Sequence, residues 1–379
     1  MLDHAQPHNG LASAAADIAA IVADRAASAE AARRLDPDVV KAVVSAGFAR
    51  HFVPTQHGGR AGTFVELSAA VAQIGEACPA TAWSASLFAN LARMAAFLPA
   101  EGFAEIWADG PDAVVVGSLI PTGKAEAASG GWRLSGTWPY VSAVDHADWV
   151  LLCGMVPTER APQPTMFAVP RSACEIVHDW SSIGMQATGS NTVIVRDVFV
   201  PAARSFERGD LFTGRAVDST APCHSVPLQA ANGLSFVTPA LGAARGALAS
   251  WTAYVSEKVR VGRQPGRPIV SPTPYELVLA ESSTEIDAAG MLVERASAVA
   301  DRGAAVTKQE TARNLRDCAV VVRRLTDSVD RLFRSAGTTG QSTASPMQRY
   351  WRDVNAASTH VALQLEPAAS TYADHHLRG

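Results

Sequence analysis

A mainly helical protein with a central β-domain is the fold class that the 379-residue sequence predicts, on three zones of differing texture. Residues 11–110 are Ala-rich, with apolar side chains at three- and four-residue intervals. Residues 113–206 are short Val-, Ile- and Trp-rich runs parted by Gly, Pro, Ser and Asp, and beyond about 225 four long amphipathic segments follow. A period near 3.6 marks helix and a period of 2 marks half-buried strand. A chain of this length exceeds a usual single core. Three units are therefore expected: helical 1–112, a β-domain at 113–206, and an antiparallel four-helix bundle at 207–379.

The elements follow in order. "MLDHAQPHNG" has no basic region, and the Ala-rich stretch behind it carries Asp17, Asp24 and Arg25, so no signal peptide is expected. "LDPDVVKAVVSAGF" (35–48) opens with an Asp-Pro helix start and has Gly47 as its stop, and "VPTQHGGRAG" (53–62) is a loop. In the β-zone, Trp132, Leu134, Gly136 and Trp138 alternate onto one strand face, after a tight turn at "SGG". The four helical segments begin at "LQAANGLSF", "YELVLAES", "TARNLRDC" and "PMQRYWRD", and "RVGRQPGRPIVSPTP" separates the first two.

Composition narrows the function. Hydrophobic residues make up 48%, the net charge is −4 and the pI is near 6.2, with no basic stripe, which argues against nucleic acid or an anionic membrane as partner. Five scattered cysteines without CxxC spacing point to buried thiols in a reducing compartment and to no metal site. Apolar runs fall short of the ~20 residues a membrane span needs, so a soluble, cytoplasmic protein is expected.

Three motifs carry a resemblance. "GTWPYVSAVDHADWVLL" (136–152), "GMQATGSNTVIVRDVFVP" (184–201) and "LFRSAGTTGQSTASPMQRYWRD" (332–353) resemble, in register, the flavin-site motifs of the acyl-CoA dehydrogenase fold. Within that fold the chain resembles the oxygenase components of two-component, reduced-flavin-dependent monooxygenases. It looks most like the aromatic polyketide hydroxylases of the actinorhodin pathway, through "LDPDVVKAVVSAGFARHFVPTQHGGRA" (35–61), "VSAVDHADW" (141–149) and "QRYWRDVNAASTHVALQ" (348–364). The resemblance implies hydroxylation of an aromatic substrate by reduced FMN (alternatively FAD) and O2, through a C4a-hydroperoxyflavin. It also implies NAD(P)H acting only through a separate flavin reductase, and a homotetramer. Many dehydrogenases of this fold carry a glutamate base nine residues after the Arg of the "RD" pair. Here that position is Val361, with His360 beside it.

The resemblance assigns the site residues as expectations. His360 is catalytic, as general base or as hydrogen-bond partner of the peroxide, since imidazole can do either near neutral pH. Helical spacing would put Arg352, Ala356 and His360 on one face, with Ala356 leaving room for a ring. Ser142 would touch flavin N5 or O4. Ser118, Trp138, Thr188, Ser190, Arg245, Gly337 and Thr338 complete the expected cofactor site, and Asn90, Leu91, His146 and Ala356 the substrate site. For several of these the blander reading is as strong: a turn-tying His146, a core Trp138 or Leu91, an ion-paired Arg245. Asn90 departs from relatives that carry a His near this position, and Gln186 from those with Arg. No GxGxxG fingerprint is present, consistent with reduction by another protein. The alternatives are an N-hydroxylase of an amine or amino sugar, and an acyl-CoA dehydrogenase with FAD.

Overall fold

The computed structural model describes residues 10–262, 264 and 271–377. The opening nine residues, and residues 263 and 265–270 of the expected 260–274 linker, lie outside the described residues.

Among the described residues six helices come first: α1 (Leu11–Ala23), α2 (Ala26–Ala32), α3 (Pro37–Ser45), α4 (Phe64–Gly75), α5 (Pro79–Ala95) and α6 (Ala100–Ile106). The Asp-Pro start of α3 is as expected. Asp36 Oδ1 accepts the Asp38 N–H at 2.8 Å, and Pro37 sits where its missing N–H costs nothing. All 17 residues of α5 are buried, so this helix has no solvent face and forms the centre of the molecule. Two of its polar side chains turn back on the helix's own backbone: Ser84 donates to the Ala80 carbonyl and Asn90 to that of Ser86.

Seven strands follow: β1 (Val115–Ala128), β2 (Gly131–Val141), β3 (Trp149–Val156), β4 (Gln163–Pro170), β5 (Glu175–Val177), β6 (Asn191–Pro201) and β7 (Ser205–Glu207). They form one sheet in the order β5-β6-β2-β1-β3-β4-β7, antiparallel except for the parallel β1–β3 pair. Along β2, Leu134 and Trp138 point inward while Arg133, Ser135 and Thr137 are exposed, as the alternation requires. The β2–β6 register then slips between Trp138 and Val141, and Tyr140 takes φ 64. This irregularity inverts the phase, so Val141 is buried and Ser142 emerges at the strand end facing α5.

The C-terminal part comprises α7 (Arg208–Thr213), α8 (Pro222–Ser225), α9 (Leu228–Ala231), α10 (Leu234–Gly262), α11 (Thr273–Ala300), α12 (Lys308–Ser335), α13 (Thr338–Gln341), α14 (Pro346–Ser358) and α15 (Leu365–Leu377). Glycines bring α10 against α4: a Cβ on Gly242 would lie 2.2 Å from the Ala72 carbonyl oxygen. Gly242→Ala must push the helices apart, and a loss of about 1–3 kcal/mol in urea unfolding is expected. The expected fourth long helix is broken. It stops at Ser358, and Val361–Leu363 form a 3-10 turn before α15.

The five cysteines are free and buried, and burial pushes the Cys153 and Cys174 thiols up to about 11 and those of Cys223 and Cys318 to about 12. No helix among the described residues is long and apolar enough to cross a membrane.

His224 gives the fold an acid limit. It is fully buried, with Nε2 2.6 Å from the Phe52 carbonyl and Nδ1 2.6 Å from Ser219 Oγ. That pairing suits the neutral ring, and burial lowers its pKa from 6.5 to about 4. The unfolded chain takes up a proton that the fold refuses. The stabilisation is therefore complete above the unfolded pKa and is lost as pH falls toward 4, amounting to about 3 kcal/mol. His224→Gln should flatten the pH dependence of unfolding across this window.

Candidate active site

A chain of hydroxyl groups begins where β2 ends. Thr188 Oγ1 donates to the Met185 carbonyl at 2.8 Å. Having spent its one proton, Thr188 can only accept from Ser190, 2.6 Å away. Ser190 must then accept from Ser142 at 2.8 Å, and Ser142 accepts the indole N–H of Trp83 at 3.2 Å. Every proton direction in the chain is fixed by this exhaustion of donors. Ser142 donates inward, so its remaining lone pair is an acceptor for whatever lies beside it. Two residues in left-handed conformation shape the chain: Ala143 (φ 58), whose N–H bonds the Thr188 carbonyl, and Met185 (φ 54).

Trp83 joins this chain to His360. The two rings meet edge-on with centroids 5.6 Å apart, and His360 stacks on Phe236 at 3.6 Å. His360 is not on the helix face expected from its spacing. Helix α14 ends at Ser358, Thr359 is its C-cap, and His360 has extended backbone. Arg352 and Ala356 remain on α14; Ala356, half-buried, spends its carbonyl on the Thr359 hydroxyl.

His360 instead caps the following turn, and this sets its tautomer. Its Nδ1 accepts the Ala362 N–H at 3.2 Å, so the proton of the neutral ring sits on Nε2. No residue among those described bonds Nε2. Burial alone lowers the pKa to about 4, with no charged neighbour contributing. Near pH 7 the ring is a neutral donor through Nε2–H.

Comparison with known proteins gives this geometry a context. Residues 8–98 match the acyl-CoA dehydrogenase N-terminal domain and residues 234–365 the acyl-CoA dehydrogenase C-terminal domain. The chain is 31% identical over 360 residues to the flavin-dependent monooxygenase oxygenase subunit HsaA of Rhodococcus jostii (strain RHA1), covering 92% of this chain and 93% of that protein. The chain belongs to the oxygenase components of flavin-dependent monooxygenases. The FADH(2)-dependent resorcinol hydroxylase oxygenase component of Rhizobium sp. (strain MTP-10005) is also 31% identical, covering 94% and 91%. XiaF from Streptomyces sp., solved with FADH2 and glycerol, superposes with TM-score 0.88 at 26% identity, covering 97% and 95%.

The oxygenase places the other expected residues less favourably. Trp138 is fully buried and donates to the Cys153 carbonyl at 2.8 Å, with Gly123 and Gly136 against its ring, so it is sheet core and no flavin wall. Thr188 and Ser190 have both hydroxyl protons committed inside the chain, which leaves them none for a phosphate or ribityl group. Ser118, half-buried on β1, accepts the Ile120 N–H at 3.4 Å and is not bonded to Ser142 or His360. Arg245 pairs with Glu76 at 3.9 Å. Gly337 (φ +67) and Thr338 lie at the start of α13, and no hydrogen bond among the described residues joins them to the hydroxyl groups of Thr188, Ser190 and Ser142.

Asn90 lines a cavity of about 10 Å³ with Ser68, Ser86 and Thr238, room for one water and too small for an aromatic substrate. Leu91 is core. His146 packs beside Arg34 and Leu35, and its Nε2 has no hydrogen-bond partner among the described residues. Its neighbour Asp145 ties a turn, accepting from Asn191 and pairing with His178. A larger groove, about 340 Å³ between α10 and α11, is lined by Trp251, Val255 and Tyr275 and includes no residue of the His360–Ser142 cluster.

Two members of the site, Trp83 and Phe236, were missed by sequence reasoning. Trp83 carried a signal, as an aromatic with a polar handle set among the small residues Ala80–Ala82 and Ser84–Ser86. The donor at His360 Nε2 and the acceptor at Ser142 Oγ stand open on either side of Trp83, a pairing whose chemistry suits a polar flavin edge.

Proposed function

We propose that this oxygenase hydroxylates a phenolic, polyketide-type aromatic with reduced FMN and O2, the flavin being reduced by a separate NAD(P)H-dependent reductase. The observation that carries the reading is the fixed donor–acceptor pair around Trp83. Reduced flavin, when bound, supplies the electrons that activate O2 and carries the oxygen to be transferred. Ser142 would accept a hydrogen bond from a flavin N–H and, lacking a free proton, could not compete as donor. His360 would offer its Nε2–H as a donor to the oxygen being transferred. The Trp83 ring packs against both groups and Phe236 stacks on His360, shielding them in part from water, so each hydrogen bond is worth more than in open water.

The rings that flank His360, Trp83 and Phe236, favour a flat aromatic over an amine, whose ammonium would want a carboxylate nearby. The resorcinol hydroxylase among the relatives acts, by its name, on a phenol. The deciding experiment supplies photochemically reduced FMN and ¹⁸O2 with a panel of phenols and naphthols and no nicotinamide. One labelled oxygen in a hydroxylated product is expected. Consumption of O2 wholly to hydrogen peroxide with every phenol, alongside oxygenation of amines, would move the assignment to N-hydroxylation. The assembly belongs to the same reading: light scattering should give a homotetramer, and a monomer would contradict a flavin site shared between subunits.

A further inference from the structure

We propose that Asp353 is a positioning residue for this reaction, anchoring through Met185 the hydroxyl chain that ends at Ser142. The proposal rests on Ser142 being the flavin-facing acceptor. Asp353 is buried on α14, and its Oδ1 accepts the Met185 N–H at 2.6 Å. Met185 then presents its carbonyl to the Thr188 hydroxyl at 2.8 Å and to the Trp180 indole N–H at 3.1 Å. The same loop is clamped on both sides. Arg352 donates to the Ile183 carbonyl at 2.7 Å, and Gly184 lies so close to α14 that a Cβ would stand 2.1 Å from the Arg352 carbonyl oxygen.

One helix therefore holds both halves of the site: Asp353 within α14 sets the Ser142 chain, and His360 follows two residues past the helix end. Met185 in its left-handed conformation is the joint between them. Loss of the Asp353 acceptor releases that joint, and Ser142 loses the aim of its lone pair relative to His360. The groups facing Asp353 are Glu30 from α2, Arg349, Tyr350 and Arg352 from α14, and Cys78 at the start of α5. Burial raises the carboxyl to about 7, so Asn is a close mimic of its neutral form.

The test uses the full chain labelled with 5-fluorotryptophan, the Trp83 ¹⁹F line being assigned by Trp83→Phe. Flavin-free protein gives the line position, and turnover with reduced FMN and a hydroxylated phenol gives the ratio of product to hydrogen peroxide. Asp353→Asn should leave both within twofold of the native protein. Asp353→Ala should shift the Trp83 line and raise the peroxide share severalfold. An unmoved line in Asp353→Ala, or equal effects of Asn and Ala, would overturn the proposal. Ser142→Ala separates the two readings: if it stays fully coupled, the role of Ser142 fails, whereas uncoupling there with a silent Asp353→Ala sinks only the role of Asp353. Should Asp353→Ala not fold, Asp353→Leu, branched like Asp but without an acceptor, takes its place. A shifted Trp83 line with a raised peroxide share supports the anchor; a line and a share like those of Asp353→Asn reject it.

Discussion

His360→Ala should lower hydroxylated product per reduced flavin by about 10²-fold, the scale of removing one aimed donor from a dry site. Hydrogen peroxide should rise to match, and flavin affinity, read by fluorescence, should hold. The proposed function commits this histidine to one of the two roles that the sequence left open. Because Nδ1 is tied to the Ala362 N–H, the group on offer is Nε2–H, a donor. His360→Asn retains an oxygen for the cap and an amide for donation, so it should recover part of the coupling. His360→Asp keeps the cap but offers no proton when ionised, and should recover none. A general base would give the reverse order, with Asp the better replacement.

Ser142→Ala removes the acceptor and should shorten the delay before oxidised flavin reappears after mixing with O2. A neutral hydrogen bond is worth about 1 kcal/mol net, which sets the effect at roughly five- to tenfold. Trp83→Phe removes only the incoming N–H and leaves the serine's outward lone pairs free. It should therefore cost less than Ser142→Ala in the same stopped-flow trace. Equal losses would mean that Trp83 acts on the flavin directly, through its ring rather than through Ser142.

The fold class was legible because periodicity is a local property. The alternation of Leu134 and Trp138 and the Asp36-Pro37 helix start needed no tertiary information. What failed depended on partners distant in sequence. His360 reads as helical by spacing, but its side chain caps the next turn and Gln364 bonds the Thr359 carbonyl, so the helix ends early. Thr188 and Ser190 look like free polar groups until Ser142, 48 residues from Ser190, takes up the last acceptor. Trp138 reads as exposed to a cofactor only if the glycines at 123 and 136, which its ring fills, are overlooked. Trp83 lies 277 residues before His360, and nothing in a linear reading joins them.

The most direct measurement needs no substrate. The chain is mixed with chemically reduced FMN, and separately FAD, then with oxygenated buffer, while oxidised-flavin absorbance is followed. A protein that holds activated oxygen between His360 and Ser142 should delay the return of that absorbance well beyond free flavin, with the delay lost in the double variant His360→Ala, Ser142→Ala. Reoxidation at the rate of free flavin with both cofactors would contradict it.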